Sequence, residues 1–90
     1  MSWTLYEAVK FTDTRITSAD WSTYPILRFS SVPDSLDVHL IARPGQPFLG
    51  TGEAAQGPAA AALGNAVANA LGKRLRDIPF TPERVRALAG

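Results

Sequence analysis

Two segments in the first half of the chain alternate apolar and polar residues. In residues 3–11, WTLYEAVKF, every second position apart from Glu7 is apolar, and these positions are Trp3, Leu5, Val9 and Phe11. A period of two is typical of a half-buried β-strand. The polar TDTRITSA that follows predicts a turn around Asp13 and a second short strand, so we expect the chain to open with a hairpin.

The second alternating segment is SLDVHLI, residues 35–41. Leu36, Val38 and Leu40 lie on one side of it, and Asp37 and His39 lie on the other. This alternation predicts a third strand. Residues 20–33, between the hairpin and this strand, have prolines around an apolar patch and no clear period, which predicts an ordered loop that crosses the sheet.

The second half of the chain changes to helical spacing. Apolar residues recur every three to four positions from Gly57 or Pro58 to Leu71, and Gly72 marks the stop. The sequence TPERVRAL predicts a last helix over 82–88 with Thr81 as its N-cap. We therefore expect one α+β domain over residues 1–90: a small, mainly antiparallel three-stranded sheet, one long alanine-rich helix and a short C-terminal helix.

Composition argues against several classes of function. Nine basic and eight acidic residues give a net charge of +1, which provides no electrostatic basis for binding nucleic acid. The absence of cysteine excludes disulfides, thiolate metal sites and cysteine nucleophiles within the chain. His39 is the only histidine and has no cluster of partners, so we expect no metal site. No apolar run approaches the roughly 20 residues of a membrane span, so no membrane insertion is expected.

A single carboxylate, Glu53, stands in a glycine-rich loop directly before the long helix, in GTGEAAQG, residues 50–57. Spacing alone favours a structural role, in which the helix dipole stabilises Glu53 by about 0.3 to 1 kcal/mol. Gln56 fits helix capping as well as it fits orientation of Glu53 or contact with a cofactor. Phosphate binding is disfavoured because the loop lacks the P-loop lysine and the carboxylate would repel a phosphate.

The order of LDVHLI, a proline-bearing loop and GTGEAAQGPAAAALGNAVANALGKRLRDIPFTPERVRAL resembles the C-terminal end of a known subunit type. This is the molybdenum-cofactor-binding subunit of the xanthine dehydrogenase and aldehyde oxidase family, also called the molybdenum hydroxylases. The chain is most similar to the bacterial branch of isoquinoline 1-oxidoreductase-like and nicotinate dehydrogenase-like enzymes. The resemblance covers residues 36–88 well, which corresponds to only a small tail of the family's molybdopterin-binding subunit.

The resemblance implies an oxidoreductase that hydroxylates N-heterocycles or oxidises aldehydes with oxygen from water. Glu53 would be the general base, and Gly52 and Gln56 would lie at the cofactor. A molybdenum–pterin cofactor is expected in the complete enzyme, with the remainder of the subunit and an iron–sulfur subunit or domain as partners. The isolated chain is expected to hold no cofactor and to be inactive.

The alternative interpretation is a stand-alone α+β protein-interaction module. In it Glu53 only caps the helix, and the alanine-rich helix docks a protein partner.

Overall fold

Three α-helices follow one another along the chain: α1 over Ser2–Leu5, α2 over Gln56–Leu71 and α3 over Pro82–Ala89. A short 3-10 turn lies at Phe29–Ser31. The computed structural model describes all 90 residues, and those outside these elements form turns and irregular segments. None of the helices has both the length and the apolar character needed to cross a membrane.

Helix α2 forms because its sequence is dominated by alanine, the residue with the highest helix propensity. Its half-buried positions recur at helical spacing and include Leu63, Val67 and Leu71. Gly72 ends the helix in the left-handed conformation at φ 67°, where its N–H donates to the Ala68 carbonyl. The predicted long helix and its glycine stop are confirmed, with a start two residues before Pro58.

Helix α3 begins with the predicted cap. The Thr81 side chain accepts a hydrogen bond from the Arg84 N–H at 3.4 Å, and Pro82 stands in the first turn. The backbone N–H of Glu83 and then the Thr81 hydroxyl hold the pKa of the Glu83 carboxyl below its ordinary value. The predicted C-terminal helix is confirmed and extends one residue beyond the expected end.

The predicted three-stranded sheet is wrong, because the structure contains no strand. The first alternating segment begins as α1, and the expected hairpin is reduced to a reversal in which only Phe11 and Ile16 form an antiparallel bridge. Residues 35–41 make no backbone hydrogen bond. Alternation identifies side chains that share a face, whereas a strand also needs a neighbouring backbone to pair with. Residues 20–33 form a loop, as predicted, with a turn at 21–23 and the 3-10 turn at Phe29–Ser31, but there is no sheet for them to cross.

The buried core is small and consists of Thr4, Pro79 and Phe80. The Phe80 N–H donates to the Thr4 carbonyl at 2.7 Å, which ties α1 to the segment before α3. The Phe80 ring lies on α2, with its Cζ 3.6 Å from the position that a Cβ at Gly64 would take. The Thr4 hydroxyl is buried without a hydrogen-bond partner, an arrangement that costs about 1 to 3 kcal/mol. Phe80 is therefore joined to α1 through its backbone and lies against α2 through its ring.

Residues 28–58 are exposed without exception and are termed the exposed arm. The arm carries large apolar side chains, among them Leu40, Leu49 and Phe48, which are 92 to 95% exposed. Apolar side chains of this size stabilise a fold only when they are removed from water. The arm therefore contributes little to the stability of this chain by burial.

The dimensions of the molecule reflect the exposed arm. The radius of gyration is 16.9 Å, against about 12 Å for a compact chain of this length. The accessible surface is 7868 Å², against about 5,100 Å² for a compact monomer of this mass. The surplus of about 2,800 Å² is surface that a self-contained domain would have buried.

Candidate functional site

The glycine-rich loop that carries Glu53 lies at the end of the exposed arm, directly before α2. Glu53 has a φ of 45° and is the only residue other than glycine with a positive φ. This left-handed conformation costs an L-residue with a Cβ roughly 1 to 2 kcal/mol. The turn therefore places its backbone strain on the carboxylate residue and not on the glycines beside it.

The neighbouring glycines leave open space around the loop. A Cβ added at Gly50, Gly52 or Gly57 would have no atom within 4 Å beyond its neighbours in the chain. No other part of this chain approaches Gly50 or Gly52. The loop is consequently accessible to a group from outside the chain.

The start of α2 contains no side-chain cap. Its N-cap is Ala55, and its first turn contains no acidic residue. Gln56 is the first residue of the helix, and its backbone N–H donates to the Glu53 carbonyl at 3.1 Å. The Glu53 carboxylate forms no hydrogen bond and no ion pair within the chain. The side chains of Glu53 and Gln56 therefore do not cap α2, which was the structural role considered for them.

His39, Arg74 and the two tryptophans lie outside this loop. His39 is exposed in the arm, and no group of three or more histidine, cysteine or carboxylate side chains lies close enough to hold a metal. The Arg74 guanidinium, just after the end of α2, donates to the side-chain oxygen of Asn65 at 3.0 Å. Trp3 is half-buried beside the core, whereas Trp21 is 73% exposed.

One polar contact that sequence reasoning missed holds the turn that precedes α3. The guanidinium of Arg84 donates to the carbonyl of Ile78 at 2.7 Å, with the carbonyls of Asp77 and Pro79 at 3.2 and 3.3 Å. Such a contact satisfies carbonyls of a non-helical turn. No sequence spacing could have indicated it, because it depends on the path of the turn.

A second missed contact ties the N-terminal segment to the following loop. The Tyr24 hydroxyl donates to the Glu7 carboxylate at 2.9 Å, which raises the pKa of Tyr24 above its ordinary value. Ser2 accepts a hydrogen bond from the Leu27 N–H at 2.8 Å in the same region. Both contacts lie away from the Glu53 loop and stabilise the part of the chain around α1.

Comparison with known proteins identifies a relative among the dehydrogenases. Over 86 residues, or 96% of the chain, the sequence is 44% identical to a nicotinate dehydrogenase subunit of Pseudomonas putida. The chain is related to one segment of a dehydrogenase subunit. The match supports the resemblance to the family through its nicotinate dehydrogenase-like members, and it supports neither the isoquinoline 1-oxidoreductase-like members nor the placement at the C-terminal end of a subunit.

The match covers this chain almost completely but only a small part of its relative. At most four residues of the chain lie outside it, so the Glu53 loop is inside the matched stretch. The chain spans 7% of the length of the dehydrogenase subunit, which makes that subunit about 1,200 residues long, from 86 residues divided by 0.07. No family model matches the chain. No solved structure matches it either.

Proposed function

We propose that the chain is the C-terminal portion of a molybdenum hydroxylase subunit and supplies its general base, Glu53. The observation that carries this proposal is the 44% identity to a dehydrogenase subunit over a stretch that includes the Glu53 loop. The G-T-G-E order of residues 50–53, which the resemblance connects with the active-site glutamate, identifies the residue within that stretch.

The loop has the properties that a cofactor-facing segment needs. It is exposed, its glycines have open space around them, and Glu53 has no competing partner within the chain. A molybdenum–pterin cofactor, when bound in the complete enzyme, supplies the redox chemistry of the hydroxylation. Gly52 would let it approach the backbone, and Gln56 would present its side-chain amide beside it.

The role of Glu53 itself is to hold a proton. An ionised carboxylate without a hydrogen-bond donor of its own can accept the proton of the water-derived nucleophile as that nucleophile attacks carbon. General-base catalysis contributes about a hundred- to ten-thousand-fold in rate. The strained left-handed conformation of Glu53 is consistent with a functional position, since such strain concentrates at active sites.

The substrate class follows from the name of the relative. The name of the relative favours an N-heterocycle related to nicotinate, and not an aldehyde, as the substrate of the complete enzyme. The remainder of the subunit would supply most of the substrate pocket, and an iron–sulfur subunit or domain would carry the electrons away. The exposed position of Glu53 agrees with a pocket that this chain does not form by itself.

The test is Glu53→Gln in the complete enzyme, which keeps the size of the side chain and removes the base. Metal content should persist while turnover falls by at least about a hundredfold. The matched control is Glu83→Gln in α3, which also replaces a glutamate by glutamine and should leave turnover within a few-fold. The isolated chain should bind no molybdenum cofactor and show no hydroxylase activity. Near-normal turnover of the Glu53→Gln enzyme at full metal occupancy would disprove the assignment.

A protein-interaction module is the second candidate, and the exposed apolar side chains of the arm are what favour it. Purification of the chain from its native source discriminates between the two. Larger subunits that contain molybdenum, pterin and iron should accompany it if it belongs to a hydroxylase. A metal-free complex with an unrelated protein would support the interaction module.

A further inference from the structure

Residues 35–41 have the sequence pattern of a strand but no strand partner. The segment contains no helix, turn or bend, and it makes no backbone hydrogen bond. Its alternating apolar side chains are all exposed: Leu36 by 81%, Val38 by 75% and Leu40 by 92%. The same seven residues thus have unpaired backbone groups and solvent-exposed apolar side chains.

The pattern fits addition to the edge of another sheet. In such an addition, main-chain hydrogen bonds supply affinity while alternate side chains enter the partner's apolar face. The alternation of this segment places its three apolar residues on one side, with Asp37 and His39 on the other. Pro33 and Pro44, which cannot donate a backbone hydrogen bond, bracket the segment and limit how far pairing could extend.

The amount of uncovered surface argues for a large partner. A standard protein interface covers about 800 Å² on each side, whereas this chain exposes about 2,800 Å² more than a compact monomer of its mass. A second copy joined through one such interface would leave most of that surplus in water. A subunit about 1,200 residues long, of which the relative of this chain forms 7%, provides a body large enough to cover it.

We infer that residues 35–41 pair as a β-strand with the edge of a sheet in the remainder of the dehydrogenase subunit, with Leu36, Val38 and Leu40 facing its core. The inference rests on the proposed function for the identity of the partner. Strand pairing would also fix the start of the segment that leads from Ile41 to Glu53. The strand is therefore an anchor for the arm that carries the candidate base.

Hydrogen exchange in the complete dehydrogenase tests the pairing. Amides of residues 35–41 should exchange at least about a hundredfold more slowly in the complete enzyme than in the isolated chain. Rapid exchange of these amides in the complete enzyme would overturn the inference. Protection of these amides in the isolated chain as strong as that in the complete enzyme would also overturn it, because a second copy would then be a sufficient partner.

A pair of substitutions tests the predicted faces. Val38→Lys puts a charge on the apolar side and should return exchange to the rate of the isolated chain, whereas His39→Lys on the polar side should retain the protection. Both variants should keep the helical circular dichroism of the isolated chain, since neither side chain is buried there. Equal protection in the two variants would contradict the assignment of faces.

The result is separable from the test of the general base. The Glu53→Gln enzyme should retain the protection of residues 35–41. If that enzyme also retained its turnover, the general-base assignment would fail while the strand pairing stood. Loss of turnover together with unprotected amides would give the opposite outcome.

Discussion

Asp20 and Glu53 are carboxylates in opposite local environments. One carboxylate oxygen of Asp20 accepts hydrogen bonds from the hydroxyls and backbone N–H groups of Ser22 and Thr23, at 2.7 to 3.0 Å. The Ser22 hydroxyl and then the Thr23 hydroxyl lower the pKa of Asp20 to about 2. Glu53 has no such donors and sits in a strained conformation. The chain therefore uses Asp20 to organise a turn, and it leaves Glu53 available to a partner.

The Asp20 turn should depend on pH in a defined window. Because the folded pKa lies below the ordinary value of 3.8, the stabilisation is fully present above pH 3.8 and is lost as pH falls through about 2. Replacement of both donors, Ser22→Ala with Thr23→Val, should bring the pKa of Asp20 back toward 3.8. Nuclear magnetic resonance titration of the carboxyl carbon measures both values. An unchanged midpoint in the double variant would show that these hydroxyls are not the cause.

At the scale of elements, α2 is a helix of small residues with one aromatic contact. The Phe80 ring lies over Gly64, and the helix has no other glycine between Pro58 and Leu71. The close neighbour of Gly64 is thus a side chain and not another backbone. The distance of 3.6 Å to a Cβ at this position is ordinary van der Waals contact, so the glycine is not required by space.

Gly64→Ala should therefore stabilise the chain. Alanine is favoured over glycine in a helix interior by up to about 1 kcal/mol, which corresponds to a rise in Tm of about 4 to 8 °C for a chain of this size. Ala61→Gly, on the exposed side of the same helix, is the matched control and should lower Tm by a similar amount. Thermal unfolding followed by circular dichroism gives both values. A lower Tm for Gly64→Ala would mean that the Phe80 ring packs on α2 too tightly to leave room for a Cβ.

At the scale of the whole molecule, the main feature is the exposed arm and its uncovered apolar side chains. A chain of 90 residues that buries three of them has little core to hold it together, and its apolar surface is left for other molecules. Large exposed apolar patches are characteristic of interaction surfaces and cause aggregation when they are uncovered. The extended shape, 54 by 34 by 26 Å, agrees with the proposed place of the chain on a larger subunit.

The isolated chain should therefore associate with itself. Light scattering should show dimers or larger species as concentration rises, and an apolar dye should bind. The double variant Leu40→Lys with Phe48→Lys should reduce both signals without loss of helical circular dichroism, because these side chains are 92 and 95% exposed. A monodisperse monomer of the original chain at high concentration, without dye binding, would contradict this expectation.

The sequence by itself determined α2 and α3. Alanine propensity, the Gly72 stop and the Thr81 cap act within one or two turns, so a helix can be predicted from its own residues. The sequence also singled out Glu53, because a carboxylate in a glycine loop before a helix is a local pattern. The resemblance was likewise available from sequence, since it depends on the order of motifs.

Only the tertiary structure showed that the alternating segments form no strands, where the core lies, and which backbone conformation Glu53 has. A helix closes its hydrogen bonds between residues four apart, whereas a strand needs a second backbone that its own sequence does not specify. Residues 35–41 show the difference: their alternation was visible in the sequence, and only the structure showed that no part of this chain pairs with them. In the same way, the Phe80 contact with Gly64 depends on the path of the whole chain and not on residues nearby in sequence.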